Sequence, residues 1–315
     1  MRVAVISELG GIPEVVDRVD TAALKDCVEL RVEAVALNPV DVAIASGKFY
    51  AGHPPLPYVP GLEAVGRVGD RLVYVQGGGL GITKDGFMTE SVFISEDALI
   101  DIPQTSDPSI AAALGTAGLA GWLSVTWRAA VRPDDIVVVL GATGAVGNIA
   151  IQAARLRGAK RVVAVGRNMS RLETIAEDPS CLVAIGDQLA ERVTAAAGGQ
   201  PTVVIDMTWG APLVALLPAL APGARVVQVG ASAGAEAVFP SAPLRGKQLN
   251  ILGYSNFGVP RDVFVSAYRE LVNLANSGAI ALPISRFQLS DIDEAWRTAV
   301  SGSTKVVVQI GLPSK

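Results

Sequence analysis

Over residues 1–100 the apolar positions come in short runs, "RVAVI", "VELRVEAVAL", "AVGRV", "DRLVYV" and "FMTESVFI", cut by Gly, Pro and Asp. Short apolar runs bounded by turn formers predict strands. From about residue 108 the grain changes. "PSIAAALGTAGLAGWLSVTW" has the length of a helix and is rich in Ala and Leu. Strand and helix patterns then alternate: "DIVVVL", helix 145–157, "RVVAV", helix 169–177, "CLVAIG", helix 187–196, "TVVIDM", helix 211–220 and "ARVVQVG". That alternation predicts a parallel sheet with helices on both faces. Its strands lack a polar alternate face, as burial on both sides requires. After residue 284 the first texture returns in "ISRFQLS", a helix around 291–300 and "KVVVQI". The pattern predicts an α/β chain of two domains. The first is β-rich and split, 1–110 with 285–315; the second, 111–284, is a doubly wound parallel sheet.

Composition agrees with this picture. A length of 315 residues suits about two domains. Half of the residues are hydrophobic and 18% are charged, so a large core is expected and disorder is not. The uncharged stretches 108–127, 136–154 and 207–224 approach the length of a membrane span. Glycines at 115, 118, 121, 141, 144 and 147, and prolines at 212, 218 and 222, interrupt them. They read as buried elements of a soluble core. The start "MRVAVISELGG" has too short an apolar run for a signal peptide. The net charge of −4 argues against nucleic acid as a partner. Cys27 and Cys181 lie far apart, so a disulfide framework is not expected and a reducing, cytoplasmic setting is.

The densest chemical signal is "IVVVLGATGAVGNIAIQAARLRGAKRVVAVGRN", one strand–helix–strand unit with glycines at 141, 144 and 147. Glycines here allow a tight turn and close backbone approach, and the helix start favours a pyrophosphate. Thr143, Gly144, Ala145 and Val146 are the candidate contacts. Twenty residues after Gly147, a dinucleotide enzyme that uses NAD carries Asp or Glu for the ribose 2′-hydroxyl. This chain has Gly166, Arg167 and Asn168, with Arg171 one helical turn further on. Two forked guanidiniums suit the 2′-phosphate of NADPH. The alternative is a pair of ordinary surface arginines at a helix start.

"ALNPVDVAIASGKFY", "PYVPGLEAVGRV", "AAALGTAGLAGW", the glycine loop and the closing "STKVVVQI" together resemble the medium-chain dehydrogenase/reductase superfamily. They are most similar to its zinc-free quinone oxidoreductase and enone reductase branch. The resemblance implies a split GroES-like catalytic domain, a Rossmann domain and an active site in the cleft between them. It implies that Asn38 lies near the nicotinamide and that Asp41 is structural. It puts Tyr50 either against nicotinamide and substrate or in a packed loop. It also implies that Val229, Gly230 and Ala231 meet the carboxamide, that Tyr254, Ser255 and Asn256 line the pocket, and that the strand at 248–255 forms a homodimer edge.

Zinc relatives show Gly-His-Glu where this chain has "GLE" at 61–63, with Leu62 in place of the histidine. His53 is the single histidine, and two isolated cysteines cannot build a zinc site. Metal-assisted alcohol oxidation is therefore not expected. Relatives place Thr where this chain has Ala120, and they insert a dozen or so residues between "GRV" and "GDRLVYV". The expected activity is NADPH-dependent hydride transfer to a quinone or α,β-unsaturated carbonyl compound. Reduction of simple aldehydes or ketones, and a non-catalytic NADPH sensor, remain the alternatives.

Overall fold

The computed structural model describes residues 1–19, 26–175, 178–302 and 304–311. Residues 176–177 of the helix expected over 169–177 lie outside the described residues. So do Ser303 of "STKVVVQI", and residues 20–25 and 312–315 of the split domain. The chain builds two compact units, Met1–Ala117 with Tyr268–Lys315, and Gly118–Ala267. Both dividing points fall inside helical segments, whereas the sequence pattern sets the junctions at 110/111 and 284/285.

In the first unit β1 (Arg2–Val5) pairs antiparallel with β2 (Glu14–Asp17). β3 (Cys27–Leu37) is the long strand that organises the rest. Helix α1 (Pro39–Ala45) follows at once, and Pro39 presets φ for its first turn. β4 (Glu63–Val68) and β5 (Arg71–Gln76) form a hairpin whose last pair is Val68 with Arg71. The turn is therefore two residues, Gly69 and Asp70, with Gly69 at φ +57. A two-residue hairpin turn requires positive φ there, which glycine supplies without strain. β6 (Ser91–Ser95) pairs with β3, and β7 (Leu99–Asp101) with β5. Helix α2 (Pro108–Ala113) is capped by Asp107, which accepts from the Ser109 and Ile110 amides.

The second unit opens with α3 (Leu119–Leu123). The stretch Pro108–Arg128 is helical throughout its 21 residues except for a break at Gly115, where ψ is −108. It is long and apolar enough to cross a membrane, but 78% of its most apolar window is buried within the protein. Then come β8 (Ile136–Leu140), α4 (Ala145–Leu156), β9 (Arg161–Gly166), α5 (Met169–Glu173), β10 (Leu182–Ala184) and α6 (Leu189–Ala197). β11 (Val203–Asp206), α7 (Gly210–Leu216), β12 (Arg225–Gln228), α8 (Ser241–Lys247) and β13 (Asn250–Gly253) complete the unit. The six strands run parallel in the order β10-β9-β8-β11-β12-β13. This is the doubly wound Rossmann order, with its switch point at β8 and β11.

Two helices are shorter than the pattern predicts. α5 stops at Glu173, where the Thr174 hydroxyl bonds back to the Arg171 carbonyl, a local alternative to helix continuation. α7 tightens at Leu217–Ala219, where Pro218 has no N–H to donate. The central strands of this sheet are buried almost end to end, with Val137, Val138, Val139, Val203 and Val204 at 0% exposure. Each fully buried side chain of that kind contributes about 1.5–3 kcal/mol.

The chain returns to the first unit through α9 (Arg261–Asn276), β14 (Ile284–Gln288), α10 (Ile292–Ser301) and β15 (Lys305–Gln309). Tyr268, where that unit resumes, stacks on Tyr74 with ring centroids 4.1 Å apart and donates to the Ala111 carbonyl. The sheet order is β14-β15-β3-β4-β5-β7, with β6 beside β3. One face is packed by Trp296, Ile292 and Ala295 of α10. The end of the chain thus rejoins the β-rich part.

Candidate functional site

In the second unit the glycine loop is closed by main-chain bonds. The Gly141 and Ala142 amides both donate to the Val165 carbonyl, at 2.9 and 3.1 Å. Gly141 takes φ +86 to make that turn. A Cβ on Gly147 would strike the Gly141 carbonyl and the Ala142 backbone, so only glycine lets α4 lie so close to the loop. Gly144 is the extended N-cap of α4 and offers no side-chain cap. The amides of Ala145, Val146 and Gly147 therefore have no acceptor within the helix. Thr143, Gly144, Ala145 and Val146 thus lie at the open start of a three-turn helix, where free amides favour an anion.

β9 runs parallel to β8, with Leu140 opposite Val165, so Gly166 lies beside this loop. A Cβ on Gly166 would stand 3.5 Å from the Thr143 methyl. Arg167 and Asn168 follow, both exposed. Asn168 Oδ1 caps α5 by accepting from the Arg171 amide. That leaves the Asn168 side-chain N–H groups to donate to a ligand. The Arg171 guanidinium lies 3.5 Å from the Thr143 carbonyl. Among the described residues no hydrogen bond or ion pair holds Arg167.

At the other end of the sheet the Val229 and Gly230 amides both donate to the Asp206 carbonyl, while Ala231 is exposed. The buried Asp206 carboxylate accepts from the Thr208 amide and hydroxyl and from the Trp209 amide. Burial raises its pKa above the ordinary carboxylate value, against those hydrogen bonds. Asp206 and Thr208 hold the turn after β11, a support that the sequence pattern does not single out; the lone acid closing "TVVIDM" is the signal for it. Beyond β13, Tyr254 donates to Asn256 Oδ1 at 2.7 Å, and Ser255 Oγ accepts from the Phe257 amide.

The first unit holds a buried charged network. Asn38 is 3% exposed. Its Nδ2 donates to Glu63 Oε1 at 2.7 Å and to the Ala36 carbonyl, and its Oδ1 accepts from Lys305 Nζ at 2.6 Å. Both ends of the amide are thus engaged inside the unit. Glu63 Oε2 accepts from the Tyr74 hydroxyl at 2.8 Å and from the Thr116 amide at 2.6 Å. Lys305 Nζ also donates to the Leu37 carbonyl and faces Glu63 Oε1 at 3.9 Å. Burial lowers the Lys305 pKa, and the two acids nearby oppose that. Asp41 accepts from the Asn38 and Leu62 amides, at 2.8 and 3.1 Å. Sequence reasoning does not single out Glu63, Tyr74, Thr116 or Lys305 as site residues, although "GLE" and "STKVVVQI" contain two of them.

Tyr50, in the loop after α1, is 84% exposed with its ring 4.4 Å from that of Phe49. It is neither buried nor packed into the unit. His53 places Nδ1 2.7 Å from the Pro54 carbonyl. Leu62 is buried, Cys27 and Cys181 are free thiols, and Ala120 is half-buried in α3. Among the described residues no three His, Cys, Asp or Glu side chains gather to hold a metal.

The sequence pattern of the alcohol dehydrogenase GroES-like domain matches residues 25–104, and that of the zinc-binding dehydrogenase family matches 145–276. A solved quinone oxidoreductase from Thermus thermophilus, also determined in complex with NADPH, superposes with a TM-score of 0.81. It is 29% identical, over 98% of this chain and 100% of that one. Quinone oxidoreductase-like protein 2 of Mus musculus is 30% identical over 253 residues, 72% of this chain and 67% of its own length. A phenolphthiocerol/phthiocerol polyketide synthase polypeptide of Mycobacterium tuberculosis is 29% identical over 309 residues, 91% of this chain. This chain spans only 14% of that synthase polypeptide.

The network makes one substitution informative. Glu63→Ala would remove, in a dry interior, the carboxylate that Asn38, Tyr74, the Thr116 amide and the Lys305 ammonium share. Removing one partner of a buried ion pair costs about 3–5 kcal/mol. Denaturant unfolding should show a loss of that size, with Glu63→Gln less affected because it keeps an acceptor.

Proposed function

This chain belongs to the medium-chain dehydrogenase/reductase superfamily, in its quinone oxidoreductase branch, and on that basis we propose that it reduces a quinone or α,β-unsaturated carbonyl compound with NADPH. The observation that carries the cofactor reading is the end of β9. No acid stands there to receive a ribose 2′-hydroxyl. Arg167 has no protein partner among the described residues, and Arg171 is held over the glycine loop. The glycine loop fits a dinucleotide, since Gly147 is the one residue that lets α4 approach and the first-turn amides are open. The complex of the Thermus relative with NADPH supports the same reading.

The cofactor, when bound, supplies hydride. The chain's own residues do the rest. Thr143 to Val146 receive the pyrophosphate, and Arg167, Arg171 and Asn168 the 2′-phosphate. The main chain at Val229, Gly230 and Ala231, fixed by Asp206, and the Ser255–Asn256 turn position the nicotinamide end. Asn38 supports the start of α1 from within its network. Hydride addition to a conjugated carbon spreads charge onto an oxygen, where one hydrogen-bond donor gives stabilisation. The exposed Tyr50 phenol is that donor, since a neutral phenol donates without ionising. The reading requires no zinc: Leu62 occupies the histidine position of zinc relatives, and among the described residues no three His, Cys, Asp or Glu side chains gather to hold a metal.

A second copy of the chain is the proposed partner. β13 ends the sheet, with Asn250, Ile251 and Gly253 exposed. Its outer main-chain groups offer a strand to pair with.

Four measurements check this reading. Turnover with NADPH should appear against quinones or enones, and exceed that against plain aldehydes and ketones. Absence of any substrate-dependent loss of absorbance would favour a sensor. Arg167→Asp should weaken NADPH binding by about ten- to a hundredfold, the worth of one charged hydrogen bond or slightly more, and leave NADH almost unchanged. Tyr50→Phe should lower turnover by about ten- to a hundredfold with NADPH affinity kept; wild-type turnover would assign the role to water. The mass in solution at micromolar concentration should be that of a dimer.

A further inference from the structure

Asp41 lies at 2% exposure and Glu63 at 0%, with Lys305 as the one cation among them. Two ionised carboxylates beside a single ammonium would leave a net negative charge in a dry interior, which is strongly unfavourable. A proton on one carboxyl balances the set. Glu63 is bound on both oxygens by donors and faces the ammonium. Asp41 has two amide donors and no direct bond to Lys305. The Tyr58 hydroxyl, buried close to Asp41, has no hydrogen-bond partner.

We propose that Asp41 is a proton switch in the first unit, whose state sets how firmly α1 and the loop carrying Phe49 and Tyr50 are anchored. The coupling is mechanical. Asp41 ties the start of α1 to Leu62, while the Lys48 and Phe49 amides fold back on the Ala43 carbonyl at its end. A change at the first turn is thereby passed to the aromatic loop. The charged groups facing Asp41 are Glu63 of β4 and Lys305 of β15, with Tyr58 before β4. α10, also packed on α1, turns Ile292, Ala295 and Trp296 inward and keeps Asp293, Glu294 and Arg297 exposed.

Burial, with Glu63 adding to it, pushes the Asp41 carboxyl up to about 7, against the amide bonds and Lys305. The unfolded chain releases the same proton near the ordinary 3.8. The folded state therefore holds an extra proton between those values. The stabilisation is complete below the unfolded value, falls as pH rises, and is gone above the folded one.

The test uses the full chain and is independent of the cofactor reading. Wild-type protein with 13C-labelled aspartate carboxyls should show one resonance, missing in Asp41→Asn, that titrates between about pH 6 and 8. Amide exchange over residues 38–52, corrected for intrinsic rates, should rise across the same range in wild type and stay flat in Asp41→Asn. Lys305→Met should move the midpoint upward by about one unit or more. If Asp41→Asn does not fold, the wild-type and Lys305→Met titrations decide. An Asp41 resonance titrating near pH 4, an unmoved midpoint in Lys305→Met, or exchange over 38–52 indifferent to pH would each overturn the switch.

Discussion

The first unit depends on what happens to one carboxylate. Glu63 lies at the start of β4 with no access to water, so every lone pair that matters must find a donor inside the protein. It finds them in α1's cap, in β5 and in the break of the long helical segment, with β15's lysine nearby. Gly115 is part of the same arrangement. A Cβ there would overlap the Glu63 carboxylate and the Tyr74 ring, and the non-helical ψ at Gly115 brings the Thr116 amide to Glu63. The break in the helix is the form the chain takes when a buried anion has to be reached by a main-chain N–H.

The second unit is held differently. Its strands are nearly all Val, Ile, Leu and Ala, and polar groups are kept to the strand ends. At those ends backbone does most of the binding: the Val165 and Asp206 carbonyls gather the amides of the loops that follow the neighbouring strands β8 and β12, and the Asp206 carboxylate fixes the turn after β11. The contrast has a physical logic. A parallel sheet covered on both faces can bury apolar strands at no polar cost. The mostly antiparallel sheet of the first unit brings the start of a helix and two strand ends into its interior, and must satisfy their polar groups with side chains.

The split α/β architecture is legible because strands and helices leave local periodic signals, and the closing "KVVVQI" repeats the texture of the first hundred residues. The glycine loop and the arginines after it are legible for the same reason, since strand, turn, helix and strand are contiguous. The buried network is not. Lys305 Nζ meets Asn38 across 267 positions, and Thr116 meets Glu63 across 53. No window of sequence contains both partners. Asn38 shows the limit most clearly: its motif marks it, but its surroundings come from β4 and β15. The short helix α5 and the early end of α7 are obscured because they turn on single residues, Thr174 and Pro218, whose effect is local but smaller than the periodicity around them.

The two-residue turn at Gly69 and Asp70 has a reach beyond its own corner. It sets the pairing of β4 with β5, in which Glu63 stands opposite Gln76 and Val65 opposite Tyr74. Side chains along a strand alternate between faces. A one-residue change in the length of that turn would slide the ladder and send the Tyr74 hydroxyl to the opposite side from Glu63. The size of a surface turn is thereby tied to the charge balance of the interior. Chain length at 69–70 is free to vary only in ways that preserve register, however exposed the turn itself is.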